Sequence, residues 1–378
     1  MHQLLTKIKY LFKKTSPPLV KVLVFKSRLL ENLSVFQKQF SKVSFAPVLK
    51  SNAYGHGLFE VAKILQNSNV PFFVVDSLYE AHLLKNKGIK KSILIIGFTT
   101  FEQVKSINVN NIAITVVSLG QLEEFAKNLK RKTVFHLKID TGMHRQGILQ
   151  KDFEKTCELI GSNKNIIVEG LCSHFADADG ENEEFTNQQI ENWHKAIKFF
   201  KEKFSSIKYL HISNSAGVKF LNKIDANVVR LGIGLYGFDQ SGKILGLNPV
   251  LEMRTVVSGI KDIQVNEYVG YNTTFQADKP MKIATLPVGY FEGVDRRLSN
   301  IGFVKIHGQF CKILGRVSMN IISVDATSIA NVKVGDEATI ISSESEDKNS
   351  IINIAKDCKT IPYEILVHVP QHLRRDII

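Results

Sequence analysis

Short apolar runs alternate with amphipathic segments along the first two thirds of the chain. From about residue 18 to 240, runs rich in Val, Ile and Phe precede segments with helical spacing, as PFFVVD precedes LYEAHLLKN. Continuous apolar strands joined by helices are typical of a parallel sheet that is covered on both faces. Eight or nine such units, beginning with VKVLVF, predict a closed (β/α)8 TIM-type barrel rather than an open sheet.

The pattern changes after Leu247-Asn248-Pro249. Runs such as MKIATLPVGY and GFVKIHGQFCKILGRV now follow one another with few helical segments, which predicts an antiparallel arrangement. The predicted fold class is therefore α/β, with the barrel followed by a C-terminal, mainly antiparallel β domain. The predicted limits are a basic N-terminal tail at 1–14, the barrel at 15–246 and the β domain at 247–378.

The formal net charge of +13 fits either a partner of opposite charge or a solvated lysine-rich surface. The lysines are scattered and form no basic helix with interleaved aromatic residues, so we expect no nucleic-acid partner. Lysines also interrupt the apolar positions of the tail, and no later run is long enough to cross a bilayer. We therefore expect neither a secretory signal nor stable membrane association.

The cysteines are widely separated and form no C-x-x-C pair, so we predict neither a metal site nor a redox motif. Free thiols fit a reducing compartment, and a cytoplasmic location is expected. The four positions are Cys157, Cys172, Cys311 and Cys358.

A lysine ends one of the predicted barrel strands. Lys50 closes the run APVLK, and a turn rich in Gly and Asn and then a helix follow it. Active sites of parallel barrels lie at the C-terminal ends of the strands. A lysine desolvated there has a lowered pKa and can form a Schiff base with an aldehyde cofactor. An ordinary surface lysine fits the same placement.

The segment VLKSNAYGHGL resembles the lysine motif of the alanine racemases, which pair a barrel that binds pyridoxal phosphate (PLP) with a C-terminal β domain. Further matches follow in the same order from about residue 15 onward, which leaves little room for chance. They are HLKIDTGMHRQG (136–147), SHFADAD (173–179), HISNSAG (211–217), NVVRLGIGLYG (227–237), VGYNTTF (269–275), LPVGYFEG (286–293), GRVSMN (315–320) and PYE (362–364).

The resemblance implies two catalytic bases. Lys50 resembles the lysine that holds PLP and acts as one base, and Tyr271 resembles the second base, which the family supplies from the other subunit. Removal of the α-proton leaves a planar carbon, so inversion needs a proton returned to the opposite face. PLP delocalises the negative charge. A homodimer with shared active sites is implied.

The same matches imply the cofactor contacts. Arg230 resembles the arginine that faces the pyridine nitrogen, and His174 resembles the histidine that links this arginine to the catalytic tyrosine. Backbone N–H groups at turns can bind a phosphate. The other residues matched to cofactor binding are Tyr54, Asn214, Ser215, Gly232, Ile233 and Tyr363. Without the resemblance, a rim ion pair, a core histidine and turn glycines would explain the same pattern.

Four more residues are matched to the substrate site. Arg145 resembles the arginine that holds the substrate carboxylate, for which a guanidinium fork is suited, and Lys138 matches a lysine that some members carbamylate. Tyr290 and Met319 resemble residues that wall the site from the partner subunit. Asn320 departs from the aspartate of many members, which leaves rate and substrate range open.

The implied activity is the interconversion of L-alanine and D-alanine, which supplies D-alanine for peptidoglycan. A serine or broad-specificity racemase stays open, because small differences in pocket volume are worth only about 1–3 kcal/mol. A non-enzymatic PLP-binding protein is disfavoured because such proteins lack the second domain. A decarboxylating relative is disfavoured because Arg230 stands where an acidic pyridine partner is expected.

Overall fold

The computed structural model describes residues 18–107, 110–180, 183–244 and 246–378. The predicted basic tail at 1–14 therefore lies outside the described residues. The chain divides into two compact units. One, the barrel unit, comprises residues 24–251 and 377–378, and the other, the β unit, comprises residues 252–376 with the described residues up to Leu23. The domain limits drawn from the sequence stay a prediction.

The run KVLV forms strand β1 (Lys21–Val24), which was expected to open the barrel series. It belongs instead to the nine-stranded, mainly antiparallel sheet formed with strands of the β unit, so this expectation was wrong. The physical sign is the alternation of exposed and buried positions along β1, which is typical of a sheet with one covered face.

Parallel strands form the barrel unit. In the described residues they are β2 (Ser44–Pro47), β3 (Phe73–Val75), β4 (Ile93–Ile95), β5 (Ile112–Val116), β6 (Thr133–Lys138), β7 (Ile166–Cys172), β8 (Tyr209–His211) and β9 (Val228–Leu231). Strands β3 to β8 pair in sequence order, and β2 pairs with β9. A parallel bridge between Val48 and Val74 and a backbone bond from Asn227 N to Leu210 O of 3.1 Å close the ring.

Helices connect these strands, as the alternating pattern predicted. Ser77, Thr100 and Ser118 each cap a helix start by accepting a bond from the backbone N–H three residues on. The helices are Lys26–Gln39, Leu58–Leu65, Leu78–Asn86, Phe101–Ser106, Leu119–Asn128, Phe153–Ser162 and Glu183–Lys203, with 3₁₀ turns at Gln150–Asp152, Ala216–Phe220 and Ile233–Tyr236. Among the described residues, no helix combines the length and apolar character needed to cross a membrane.

A nine-stranded sheet is the main element of the β unit. Besides β1, its strands are β10 (Leu251–Val256), β11 (Gly259–Ile263), β12 (Met281–Leu286), β13 (Phe303–Ile306), β14 (Gln309–Leu314), β15 (Ile322–Asp325), β16 (Glu337–Ile341) and β17 (Arg375–Ile377). They lie side by side in the order β11-β12-β15-β14-β13-β16-β10-β1-β17. Neighbours such as β11 and β12 pair antiparallel. Two helices, Ile351–Asp357 and Pro362–Val367, follow β16. The predicted fold class is confirmed.

Candidate active site

The predicted site residues of the barrel unit lie where its strands end. Lys50 follows β2, Lys138 ends β6, His174 follows β7, Ser215 follows β8 and Arg230 lies in β9. Because parallel strands end at the same mouth of a barrel, the fold gathers these side chains from distant parts of the sequence.

Lys50 begins a turn of left-handed backbone. The residues at 51–54 all have φ between 52° and 56°. This conformation costs an ordinary L-residue roughly 1–2 kcal/mol, so contacts with the surrounding chain must hold it. The lysine is therefore presented by a segment that cannot relax into a regular helix.

Glu80 holds this turn from a neighbouring helix. Its carboxylate accepts a bond from Ser51 N at 2.7 Å, and Asn52 Oδ1 accepts one from Leu58 N at 2.9 Å. Sequence reasoning missed Glu80. Its only signal was the spacing Ser77-x-x-Glu80, which is typical of a capping box, whereas the carboxylate binds the lysine turn.

Two hydroxyl groups converge on the backbone of Gly232. A Cβ at this position would lie 2.8 Å from Tyr54 Oη and 3.9 Å from Ser215 Oγ. Ser215 Oγ accepts bonds from Gly232 N and Gly234 N, each at 3.1 Å, so its own O–H stays available to donate. Burial raises the pKa of Tyr54, which therefore keeps its proton. Two donors around a glycine backbone fit a phosphate group.

Two more predicted cofactor contacts, Asn214 and Ile233, are chain neighbours of Ser215 and Gly232, whose hydroxyl and backbone groups form with Tyr54 what we call the hydroxyl cradle. Asn214 accepts a bond from Gly217 N at 2.8 Å through its Oδ1 atom and so holds the turn after β8. Ile233 is buried and begins the 3₁₀ turn that follows β9. Their roles toward a cofactor stay predictions.

Arg230 is 6% exposed, and its terminal nitrogens bind the protein. Nη1 donates to Nδ1 of His211 at 2.8 Å and to the His211 carbonyl at 2.6 Å. Nη2 donates to the Ser173 carbonyl at 2.7 Å and to Nδ1 of His174 at 2.8 Å. A guanidinium carries five N–H bonds. Within the described part of the chain, only the Nε–H is left without a partner, and it is the donor that remains for a ligand.

The two histidines beside Arg230 have defined tautomers. Arginine can only donate, so both Nδ1 atoms accept, and each neutral ring carries its proton on Nε2. Burial, with the positive charge of Arg230, lowers the pKa of His174 and of His211 well below the usual value, which keeps both rings neutral. His174 is thereby set to donate through Nε2.

Four cations gather at the barrel mouth. Burial is the largest cause that lowers the pKa of Lys138, and the charges of Arg230, Arg145 and Lys50 lower it further. Among the described residues, none of these four forms an ion pair with a carboxylate. Positive charge without local compensation fits an anionic ligand, as a phosphate and an amino-acid carboxylate would be.

Tyr271 lies in the β unit at the start of a 3₁₀ turn, Tyr271–Thr273, after Gly270 with φ of 78°. Its side chain is 68% exposed. A backbone bond from Val269 N to Phe275 O of 3.0 Å closes the loop that carries it. The structure thus presents this tyrosine at a loop tip, and its place opposite Lys50 stays a prediction.

Tyr290 and Met319 come together in the β unit. Tyr290 N donates to Ser318 O at 3.0 Å, which places the two side chains on adjoining turns. Asn320 donates from Nδ2 to the buried Glu292 at 2.7 Å, a bond that an aspartate could not donate. Tyr363 lies apart from these turns in the chain, in the first turn of Pro362–Val367. The substrate and cofactor roles of these residues stay predictions.

One cluster in the β unit has the composition of a metal site. Ligand atoms of Asp295, Glu364 and His368 lie within 4.8 Å of one another. Arg297 already pairs with Asp295 at 2.6 Å and with Glu364 at 2.8 Å. The guanidinium explains the arrangement of both carboxylates, so the cluster does not alter the interpretation of the site.

The barrel mouth combines a lysine, a buried arginine donor and two hydroxyl groups around Gly232, which is the arrangement expected of PLP-dependent enzymes built on a barrel. Residues 25–240 match the family described as alanine racemase, N-terminal domain, and residues 250–377 match alanine racemase, C-terminal domain. The chain belongs to the alanine racemase family, whose members are PLP-dependent racemases. The family inferred from the motifs is confirmed.

Relatives match over nearly their full length. The chain is 35% identical to alanine racemase 2 of Caldanaerobacter subterraneus, covering 88% of each chain. It is 36% identical to the alanine racemase of Methanococcus maripaludis, covering 87% of this chain and 90% of the relative. The alanine racemase of Clostridium difficile has a TM-score of 0.88 at 30% identity, covering 96% of this chain and 97% of that one. The Bacillus anthracis enzyme with bound L-Ala-P has a TM-score of 0.87 at 28% identity, covering 97% and 96%.

Proposed function

We propose that this chain interconverts L-alanine and D-alanine, with Lys50 and Tyr271 of the partner subunit as the two bases. The observation that carries the proposal is the barrel mouth, where Lys50, the Nε–H of Arg230 and the hydroxyl cradle at Gly232 belong to one unit. Each supplies the contact that a different part of PLP needs.

The residues of the barrel mouth would hold PLP by its two ends. Lys50 would bind the cofactor through Nζ, and Tyr54 and Ser215 would donate to its phosphate. When bound, PLP supplies an electron sink for the charge that forms at the substrate α-carbon. Arg230 would donate its Nε–H to the pyridine nitrogen without giving up the proton, because a guanidinium stays charged. Because the pyridine nitrogen would not be protonated, PLP would stabilise the charge at the α-carbon less strongly, and side reactions would be disfavoured.

Two side chains would move the substrate proton. Lys50 Nζ would remove or return it on one face of the α-carbon, and the phenol oxygen of Tyr271 of the partner subunit would do so on the other. Arg145 is exposed and would bind the substrate carboxylate, which keeps the α-carbon between the two bases. His174, set as the Nε2–H tautomer, would donate toward the tyrosine and ease loss of its proton.

The surface of the β unit supports a homodimer with shared sites. Large apolar side chains are exposed there on turns joined by backbone bonds, such as Phe291 N to Met319 O at 2.9 Å. Clustered apolar exposure is typical of an interface. These side chains, between 44% and 68% exposed, include Tyr268, Tyr271, Tyr290, Phe291, Met319 and Ile321.

The proposal places the enzyme in the cytoplasm, where it would supply D-alanine for peptidoglycan. The four cysteines are free, which supports a reducing compartment. Expression of the chain in a bacterium that requires D-alanine tests this role. Growth without added D-alanine is expected, and a lack of growth despite soluble expression would contradict it.

Substrate range is tested by incubating the purified chain with PLP and single L-amino acids, followed by chiral chromatography. We expect alanine to racemise fastest. Equal or faster turnover of serine would establish the alternative of a serine or broad-specificity racemase. Cofactor binding without turnover of any amino acid would instead favour a non-enzymatic PLP-binding protein.

Gly232→Ala should weaken PLP binding roughly tenfold. The added methyl would lie 2.8 Å from Tyr54 Oη and displace one of the two phosphate donors. Titration of the cofactor-free variant with PLP measures the effect. Gly120→Ala is the matched control, because a Cβ there meets nothing within 4 Å. Equal affinities of the two variants would contradict the phosphate assignment.

We expect Lys138 to be carbamylated. Its lowered pKa leaves more of the neutral amine that attacks carbon dioxide, and the anion formed would offset the charges of Arg145 and Arg230. Protein equilibrated with ¹³C-bicarbonate should show a carbamate signal by ¹³C NMR. The signal should be lost in Lys138→Arg and kept in Lys42→Arg, an exposed lysine. A signal unchanged in Lys138→Arg would overturn this assignment.

A further inference from the structure

A buried chain of hydrogen bonds continues from Arg230 into the barrel. Nε2 of His211 lies 2.7 Å from Nδ1 of His136. His211 accepts from Arg230 at Nδ1, so its proton is on Nε2 and is donated to His136. The bonds therefore run in one direction, from Arg230 through His211 to His136, and each ring has a single tautomer that satisfies its neighbours.

The interior of the barrel is shaped to hold these hydrogen-bonded histidine rings. Barrel interiors are usually filled by branched aliphatic residues, and buried polar rings are costly unless they are bonded. A Cβ at Gly170 would lie 2.5 Å from His136 Nδ1, so a glycine is needed beside the ring. Tyr209 stacks on His136 at 5.7 Å between ring centroids, and Phe72 meets it edge-on at 5.6 Å. Packing thus fixes the ring of His136, the last group in this series of hydrogen bonds.

His136 also reaches a cavity of about 210 Å³ that is separate from the residues at the strand ends. Its lining includes residues at or before the starts of strands, such as Ser92, Asn111 and Tyr209. A cavity of this size holds water. Water there can accept the remaining Nε2–H of His136, while burial and Arg230 lower the pKa of His136 to about 3 and keep it neutral.

We propose that His136 is a positioning residue for the racemisation, acting on Arg230 through His211. The inference rests on the proposed function, because it assigns the Nε–H of Arg230 to the cofactor. Without His136, the Nε2–H of His211 has no acceptor in the barrel interior. The ring of His211 then gains by carrying its proton on Nδ1 instead, which presents an N–H to the Arg230 donor and displaces the guanidinium.

Three variants of the full-length protein with PLP test the proposal. His136→Asn keeps an acceptor near the Nδ1 position, and His136→Leu removes it at similar volume. Thr115→Val is the control, because Thr115 pairs in register with His136, is buried, and has a hydroxyl without a partner among the described residues. The comparison separates loss of a hydrogen-bond acceptor from a change of packing in the same layer.

We expect His136→Leu to lower kcat for alanine about tenfold, since a buried donor loses its partner. KM should change little, because Arg145 binds the carboxylate. His136→Asn should stay within about threefold of the parent protein, and Thr115→Val should match it. If His136 served only to fill space, His136→Leu would keep a higher kcat than His136→Asn. A kcat of His136→Leu equal to or above that of His136→Asn would overturn the proposal.

Tautomer analysis by ¹⁵N NMR of labelled histidines gives a readout that needs no turnover. His211 and His136 should both show the Nε2–H tautomer in the parent protein, and the His211 signal should shift in His136→Leu but not in Thr115→Val. An Nδ1–H tautomer at His211 would overturn the chain of bonds. A parent protein that shows these tautomers but racemises nothing would refute the proposed function alone.

Discussion

Lys50→Ala should abolish the visible absorbance of the lysine-bound cofactor and lower racemisation by roughly 10³-fold. In the proposed mechanism the variant loses both the amine that would hold PLP and the base on one face of the substrate. The left-handed turn that follows Lys50 is held by Glu80 and does not depend on the lysine side chain, so the barrel should fold as before. Absorbance of the dialysed protein after addition of PLP measures the first effect, and chiral chromatography measures the second.

Lys42→Ala provides the control for this experiment. Lys42 is exposed and precedes β2, the same strand that ends before Lys50. It should retain the absorbance and the activity of the parent protein. Persistence of the lysine-bound spectrum in Lys50→Ala would mean that another amine holds the cofactor, and the assignment of Lys50 would be wrong.

Tyr271→Phe should retain the cofactor spectrum yet lose racemisation by about 10²–10⁴-fold. The substitution removes one oxygen from an exposed side chain, so folding should be unaffected. Lys50 would still act on its own face. One enantiomer of alanine should therefore exchange its α-hydrogen with deuterium from the solvent without inversion, which mass spectrometry detects.

A mixture of the two inactive variants tests whether Tyr271 acts across a dimer. In a dimer of one Lys50→Ala and one Tyr271→Phe chain, one site combines the intact lysine with the intact tyrosine. Equal mixing after subunit exchange should restore about one quarter of the parent activity. No recovery despite proven exchange, or racemisation by Tyr271→Phe at an unchanged rate, would show that another residue supplies the second proton.

The repeated strand and helix pattern was enough to predict the barrel, because most of its strands are short, largely buried apolar runs such as β3, β4 and β9. The same criterion failed for KVLV, since four residues are too few to separate a barrel strand from one strand of an antiparallel sheet. Pairing partners decide this, and β1 lies next to β10 and β17, which are more than 200 residues away. A local pattern contains no such information.

The sequence was enough to predict the site residues that are matched at strand ends. It was not enough to predict residues that act only by positioning another residue. Lys50, Arg230 and Ser215 stood out because each follows or ends a strand within a matched segment. Glu80 lies outside the matched segments, and His136 opens one of them but lies inside a strand rather than at its end. A carboxylate in a helix and a histidine inside a strand are common, so neither position signals a role. Their importance comes from which backbone and ring atoms they reach, which only the folded structure reveals.

The left-handed turn after Lys50 also ties the chemistry of this lysine to the integrity of the whole barrel. Its backbone conformation is unfavourable in a free peptide, so an excised segment would present an ordinary flexible amine. The fixed position of this amine at the barrel mouth is therefore acquired only when β2, β3 and the helix that bears Glu80 have assembled. A nascent or partly degraded chain would form with free pyridoxal phosphate only the unselective adducts that any exposed lysine forms.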